Sequence, residues 1–294
     1  MKRIVRCCIG FCLSPILGVI VTLAQPITFA QTAGELAPCV VYLQIPKVKT
    51  IQLDSVEYEI FIKNPRESTP KPYVDTVRGT GFFVVRYNSL YLVTPNHLAQ
   101  QMSANAMMTI QTRDDRPLRF SMSDFLGKDP ILNWTSSQEA DIAVLRLFPS
   151  PQMFGSLRDH FLPFEVLLTN EEAPPRERTL AVIGFPLALG VTERFSPVSI
   201  ESKASSGLLE LPRADNGEVS IFFLLDNPTA GGFVGAPVFE LPAPYPSAPT
   251  HGVSGRRFTC VGLVHATVTD DTGNEFAAVV PSPYIVQAIL GASR

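Results

Sequence analysis

The chain has 294 residues, 46% hydrophobic and 17% charged, and its 24 Lys plus Arg against 27 Asp plus Glu leave a formal net charge of −3. That balance excludes a nucleic-acid surface, which needs clustered basic charge, and the apolar share without any low-complexity tract excludes a disordered chain. A sequence of this length buries a sizeable core, enough for two small β-domains or one large one.

The N-terminus reads as an export signal. Lys2, Arg3 and Arg6 precede an apolar run from Cys7 to Ala24, and small residues follow at Thr28 and Ala30. This is the order of charge, apolar core and cleavage site found in secretory signals. Ser14, Pro15 and Gly18 interrupt the run, which barely reaches the length of a membrane span. The expectation is a signal peptide over residues 1–30, cleaved after Ala30, and a secreted or periplasmic protein that leaves the membrane behind. Taking the leader's three basic residues from the 24 leaves 21 against 27, a balance of −6. Cys7, Cys8 and Cys12 depart with the leader, while Cys39 and Cys260 remain. An oxidising compartment lets these two pair; two free, buried thiols are the other reading, and the sequence leaves both open.

Short runs rich in β-branched and aromatic residues then recur, separated by Pro, Gly, Asn and Asp. They are CVVYLQI from Cys39, GFFVV from Gly81, LYLVT from Leu90, IAVLRL from Ile142, FEVLL from Phe164, LAVIGF from Leu180, SIFFLL from Ser220, APVFEL from Ala236 and CVGLVHATV from Cys260. Strands of this length and spacing predict an all-β protein, an antiparallel barrel or sandwich. Proline-rich, polar sequence between Pro149 and Arg178 marks a crossing between two units, and Lys63–Asp75 and Leu241–Arg257 read as long surface insertions. At the end, Ser282 and Pro283 predict an N-cap and first helical residue. Tyr284, Ile285, Ala288 and Ile289 then share one face of a closing helix.

Three segments carry chemistry in a fixed order. GTGFFVV, from Gly79, predicts a glycine turn opening a strand, and YLVTPNHLA, from Tyr91, a strand ending in a turn that holds His97. ADIAVLRL, from Ala140, starts a buried strand at Asp141. GGFVGAPVF, from Gly231, is a glycine-rich turn running into a strand.

Taken together these segments resemble the chymotrypsin clan, and within it the compact bacterial trypsin-like and HtrA-like serine proteases without a PDZ module. VIGFP from Val182, CVGLVHA from Cys260 and EFAAVVPSPYIVQAI from Glu275 are similar to the family's second barrel and terminal helix. The resemblance runs from about Pro38 to Ile289 and implies two antiparallel six-stranded β-barrels, over residues 36–150 and 179–294, joined by a linker at 151–178. It also implies that His97 is the general base and Asp141 the carboxylate that fixes its tautomer, since a serine hydroxyl is a weak nucleophile until an imidazole takes its proton.

The third triad member is missing. Laying the family's Gly-x-Ser-Gly-Gly-Pro-Val on Gly232 to Val238 puts Val234 where the serine belongs, and Ala236 where a glycine belongs. A valine side chain has nothing to donate, accept or attack with. The resemblance still implies oxyanion-hole donors in the backbone N–H groups of Gly232 and Val234. Pro228 stands where basic-specific members carry an aspartate, so a pocket for Arg or Lys is not expected. In the strand with which the family pairs its substrate, His265 replaces a serine bordering the carboxylate. It either bonds Asp141 or is an ordinary strand histidine.

The expectation is therefore a pseudo-protease with a binding or regulatory role and a protein or peptide ligand. One alternative is an active endopeptidase-like hydrolase whose nucleophile is displaced, with Thr229 the nearest hydroxyl in the turn. Another is an unrelated β-sandwich, which would hold His97 and Asp141 apart. No cofactor or metal motif is present, because His97, His160, His251 and His265 have no Cys or His partner at ligand spacing.

Overall fold

A computed structural model of the chain describes residues 29–54, 56–63, 69–112, 114–127, 131–157, 160–227, 232–241, 258–269 and 273–293. The leader up to residue 28, Pro228 and Thr229 in the turn, and residues 242–257 of the second insertion lie outside them.

Helix α1 (Phe29–Leu36) comes first and buries Thr32, Ala33 and Leu36. The first group of strands is β1 (Val40–Val48), β2 (Thr50–Leu53), β3 (Val56–Glu59), β4 (Phe61–Ile62), β5 (Lys71–Pro72), β6 (Val74–Arg86) and β7 (Ser89–Thr94). After the short helix α2 (Asn96–Ala99) follow β8 (Met107–Gln111), β9 (Pro117–Ser121), β10 (Trp134–Ser136) and β11 (Ala143–Leu147). Helix α3 (Pro151–Ser156) and β12 (Leu162–Pro163) lead to β13 (Leu180–Gly184), β14 (Val198–Ser202), β15 (Leu209–Pro212) and β16 (Val219–Leu225). The chain ends in β17 (Pro237–Glu240), β18 (Thr259–Thr269), β19 (Glu275–Pro281) and α4 (Ser282–Ala292).

Two large sheets result, an all-β architecture with a C-terminal helix as the strand spacing predicts. The first has eight strands in the order β10-β11-β7-β6-β1-β8-β9, with β12 added parallel to β6; the second has seven, β14-β13-β17-β18-β19-β16-β15. Alternating apolar residues fill a core inside each sheet, around Met108 and Phe125 in the first and Phe223 and Val238 in the second. A third cluster joins the sheets: Tyr42 and Phe82 meet Phe185, Phe239 and Leu263, and Tyr42 packs edge-on to Phe185 at 5.5 Å between ring centres. Helix α4 seals the join. Burying Ile285 and Ile289 contributes about 1.5–3 kcal/mol each, and Ser293 reaches Tyr91 of the first sheet at 2.8 Å.

Several local expectations are corrected. Gly79 and Gly81 lie inside β6, not in a turn. A Cβ at Gly79 would stand 2.4 Å from Leu98 Cδ1, and one at Gly81 3.0 Å from Leu92 and Val93, so these glycines allow close packing of neighbouring chain. FEVLL forms a single helical turn, Phe164–Val166, because Pro163 ends β12 and caps that turn. The N-cap of α4 is Pro281; Ser282 is already helical, and its buried hydroxyl has no partner among the described residues. The insertion expected as a loop at Lys63–Asp75 contains β5 and the start of β6. Cys39 and Cys260 are free thiols, each buried and each pushed up to about 12 by that burial, so neither is a thiolate at neutral pH.

Candidate active site

The site lies where the two sheets meet, and each residue arrives for a local reason. Strand β7 stops at Thr94 because Pro95 has no N–H to continue the ladder. Pro95 then caps α2, with Leu98 and Ala99 donating to its carbonyl. His97 is thereby held at the mouth of the cleft with its side chain 22% exposed. Asp141 sits two residues ahead of β11 in a tight bend, Ile142 N–H donating to Ala140 C=O at 2.8 Å, and is fully buried.

These two meet. The His97 Nδ1 to Asp141 Oδ2 distance is 2.6 Å, and the His97 backbone N–H donates to Oδ1 at 2.9 Å. That geometry leaves no room for the β-sandwich alternative. His265 also reaches the carboxylate, Nδ1 to Oδ2 at 2.6 Å, and is 2% exposed. The Ala214 backbone N–H points at His265 Nε2 at 3.1 Å. A backbone N–H is always a donor, so Nε2 accepts, the ring proton sits on Nδ1, and His265 is a neutral imidazole donating to Asp141. Phe222 stacks on its other side, 5.0 Å between ring centres.

Arg213 completes the network and was not foreseen. Its Nη2 donates to Asp141 Oδ1 at 3.1 Å and to Asp215 Oδ2 at 2.7 Å, while Nε donates to Asp215 Oδ1 at 3.0 Å. Asp141 thus accepts from His97 twice, from His265 and from Arg213. Burial opposes its ionisation, but the hydrogen bonds from His265 and His97 outweigh that and hold the carboxyl well below the usual carboxylate range. With Asp141 ionised, His97 donates through Nδ1. Its Nε2 then carries the lone pair of the ring, and among the described residues nothing bonds to it.

The turn expected to hold the nucleophile adjoins this pair. Gly232 and Gly235 have φ of +105° and +89°. A Cβ would fall 2.3 Å from Phe185 C=O at Gly232 and 1.9 Å from Thr80 C=O at Gly235, so only glycine fits either position. Thr80 is the second residue that sequence reasoning missed. It is fully buried, its N–H donates to Val234 C=O at 2.8 Å, and its hydroxyl donates to Gly232 C=O at 2.7 Å and accepts from Phe185 N–H at 3.3 Å. The turn is therefore pinned to β6 and β13, and Gly235 N–H ties it to Val264 of β18 at 2.8 Å. Val234 packs its side chain on the apolar cluster that includes Leu98, next to His97. Among the described residues the N–H groups of Gly232 and Val234 donate to nothing.

One atom from each of His97, Asp141, Asp215 and His265 lies within 4.8 Å of the others, a spacing one cation could span. The chemistry of the set speaks for hydrogen bonding instead. Both nitrogens of His265 are engaged, and the Arg213 guanidinium already stands between the two carboxylates. Beside His97 a polar hollow of about 630 Å³ opens, lined by Gln100, Gln101, Ser137, Arg213 and Asp215.

A profile of the trypsin-like peptidase domain matches residues 79–242, more than half of the chain. No curated protein matches. Among solved structures, the HtrA-type protease AlgW with a decapeptide aligns at 14% sequence identity and a TM-score of 0.49, over 90% of this chain and 68% of that one.

Proposed function

Because the chain belongs to the trypsin-like peptidase family, we propose that it is an exported pseudo-protease, a binding or regulatory member that keeps the base and carboxylate and has lost the nucleophile. One observation carries the reading. Val234 occupies the apex of a turn pinned beside His97, while His97 and Asp141 keep the 2.6 Å contact of a working dyad. Triad members act as a unit, so a base without a nucleophile loses most of the acceleration even where backbone donors persist.

Peptide or protein is the ligand class. Beyond Val264, β18 is laddered to β19 on one edge and runs past the end of β17 on the other, which suits an extended peptide adding as a strand. The native protein is expected to show no peptidase or esterase turnover and no labelling by fluorophosphonates. Robust hydrolysis that His97→Ala abolishes would overturn the reading, and Thr229→Val would then test the displaced hydroxyl.

Export is part of the same proposal. Among the described residues no helix is long and apolar enough to cross a membrane. Cleavage after Ala30 would remove only the first two residues of α1 and leave its buried Thr32, Ala33 and Leu36 in place. Intact mass of the exported protein, measured without reductant, is expected to match a chain beginning at Gln31 with two free thiols. A chain retaining Met1, or a mass lower by two hydrogens, would contradict it.

A further inference from the structure

On the N-terminal side of Thr80, β6 and its partner β1 continue past the first sheet as a two-stranded ribbon paired as far as Val48 and Val74. There the ribbon branches. Lys49 N–H donates to Tyr73 C=O, Tyr73 N–H to Ile60 C=O and Ile60 N–H to Lys49 C=O, at 2.7–2.9 Å, a closed ring from which the β2–β3 and β4–β5 hairpins project. Neither hairpin has a third strand among the described residues. An isolated two-stranded hairpin is marginal in water, and its edges are templates for pairing.

The β2–β3 hairpin is amphipathic. Ile51 and Leu53 share one face with Tyr58, which stands opposite Ile51, and the three are 44%, 56% and 50% exposed. Thr50, Gln52, Glu57 and Glu59 make the other face, Thr50 donating to Glu57 at 2.5 Å. Phe61, Ile62, Tyr73 and Val74 add exposed apolar surface at the branch, so seven large apolar residues stand in water within one short arm. A globular protein rarely leaves so many large apolar side chains exposed in one short segment without a partner.

We infer that the described residues of this arm, 46–54, 56–63 and 69–76, form a self-association surface through which two copies of the chain pack ribbon against ribbon about a two-fold axis. Area and charge both favour a second copy. Large side chains offer ~150–250 Å² each, so seven that are about half exposed present on the order of 600 Å², close to the ~800 Å² per partner of a standard interface. The arm's described residues carry four basic side chains, Lys47, Lys49, Lys63 and Lys71, and four acidic ones, Asp54, Glu57, Glu59 and Asp75. A patch of mixed sign and no net charge is its own complement in an isologous contact, whereas an anionic membrane attracts clustered basic charge. The inference is independent of whether the cleft is catalytic.

Sedimentation of the exported chain over concentrations up to about 50 µM, the range open to an interface of this size, should show a monomer–dimer equilibrium. The variant Ile51→Thr/Leu53→Thr/Tyr58→Thr keeps β-propensity and should weaken dimerisation at least ~100-fold with an unchanged melting temperature. In the unmodified protein, backbone amides of residues 50–62 should exchange more slowly at high concentration than on dilution, a readout that needs no variant. A wild-type chain that stays monomeric overturns the proposal, as does a dimer indifferent to the three substitutions. Arm-dependent flotation of a monomer with phosphatidylglycerol vesicles would reassign the arm to lipid and also overturn it.

Discussion

Val234→Ser combined with Ala236→Gly is expected to yield a protein that fluorophosphonates label and that turns over an activated ester, both beyond the native chain under the proposed reading. Most of what a serine would need is already in place. His97 Nε2 carries a lone pair with nothing bonded to it among the described residues, Asp141 fixes the tautomer, and Thr80 holds the turn. A serine at this position needs to come within about 2.6–3.2 Å of that nitrogen. Loss of the nucleophile in a working triad costs about 10⁶ in kcat, so even a poorly aligned serine should raise the rate at least ~10²-fold above the native protein. Ala236 is fully buried and outside the left-handed region, so its exchange for glycine relieves no strain and restores only the family's spacing. Both changes remove apolar contact, together about 2–3 kcal/mol, which a protein with 5–15 kcal/mol in hand survives. A folded double variant with no labelling would mean that the cleft, and not only the nucleophile, has been lost. Labelling that persists after His97→Ala would mean the serine reacts without the dyad.

What the sequence disclosed and what it hid follow from the range of the interactions involved. Strands β1, β7, β11, β13 and β18 were legible because their apolar runs are local patterns bounded by turn residues. His97 and Asp141 were legible because each sits in a short motif whose order the family shares. Arg213 was not, since Arg-Ala-Asp-Asn-Gly reads as a solvated turn. Its burial depends on that turn reaching a carboxylate 72 residues earlier. Thr80 was hidden inside a glycine motif whose glycines claimed the explanation, although the threonine makes the bonds that shape the turn. The arm was hidden by composition: Lys71 and Pro72 read as loop residues, and only their pairing with Ile62 and Phe61 of β4 makes them strand. FEVLL misled because four apolar residues around Glu165 carry too little periodicity to separate a strand from a helical turn.

Asp141→Asn is expected to cost about 3–5 kcal/mol of stability, the penalty of breaking a buried ion pair on one side, and to lower the melting temperature by roughly 10 °C or more. The cost comes from donors with nowhere to go. Asp141 offers only acceptors, and four donors face it: the His97 N–H and Arg213 on Oδ1, and the two imidazole Nδ1 atoms on Oδ2. An asparagine amide set either way turns its NH₂ toward two of them. His265 cannot yield by changing tautomer without losing the Ala214 N–H bond to Nε2, and Arg213 is left buried with Asp215 alone. The pH dependence separates this account from a general packing defect. The folded pKa of Asp141 is depressed, so its contribution is fully present above the unfolded carboxylate value of about 3.9 and is lost as pH falls below that toward the folded one. The stability gap between wild type and Asp141→Asn should therefore be widest above about pH 5 and narrow below about pH 4. Denaturant midpoints measured across that range decide it, since a gap that stays constant into acid would show that Asp141 contributes by shape and not by charge.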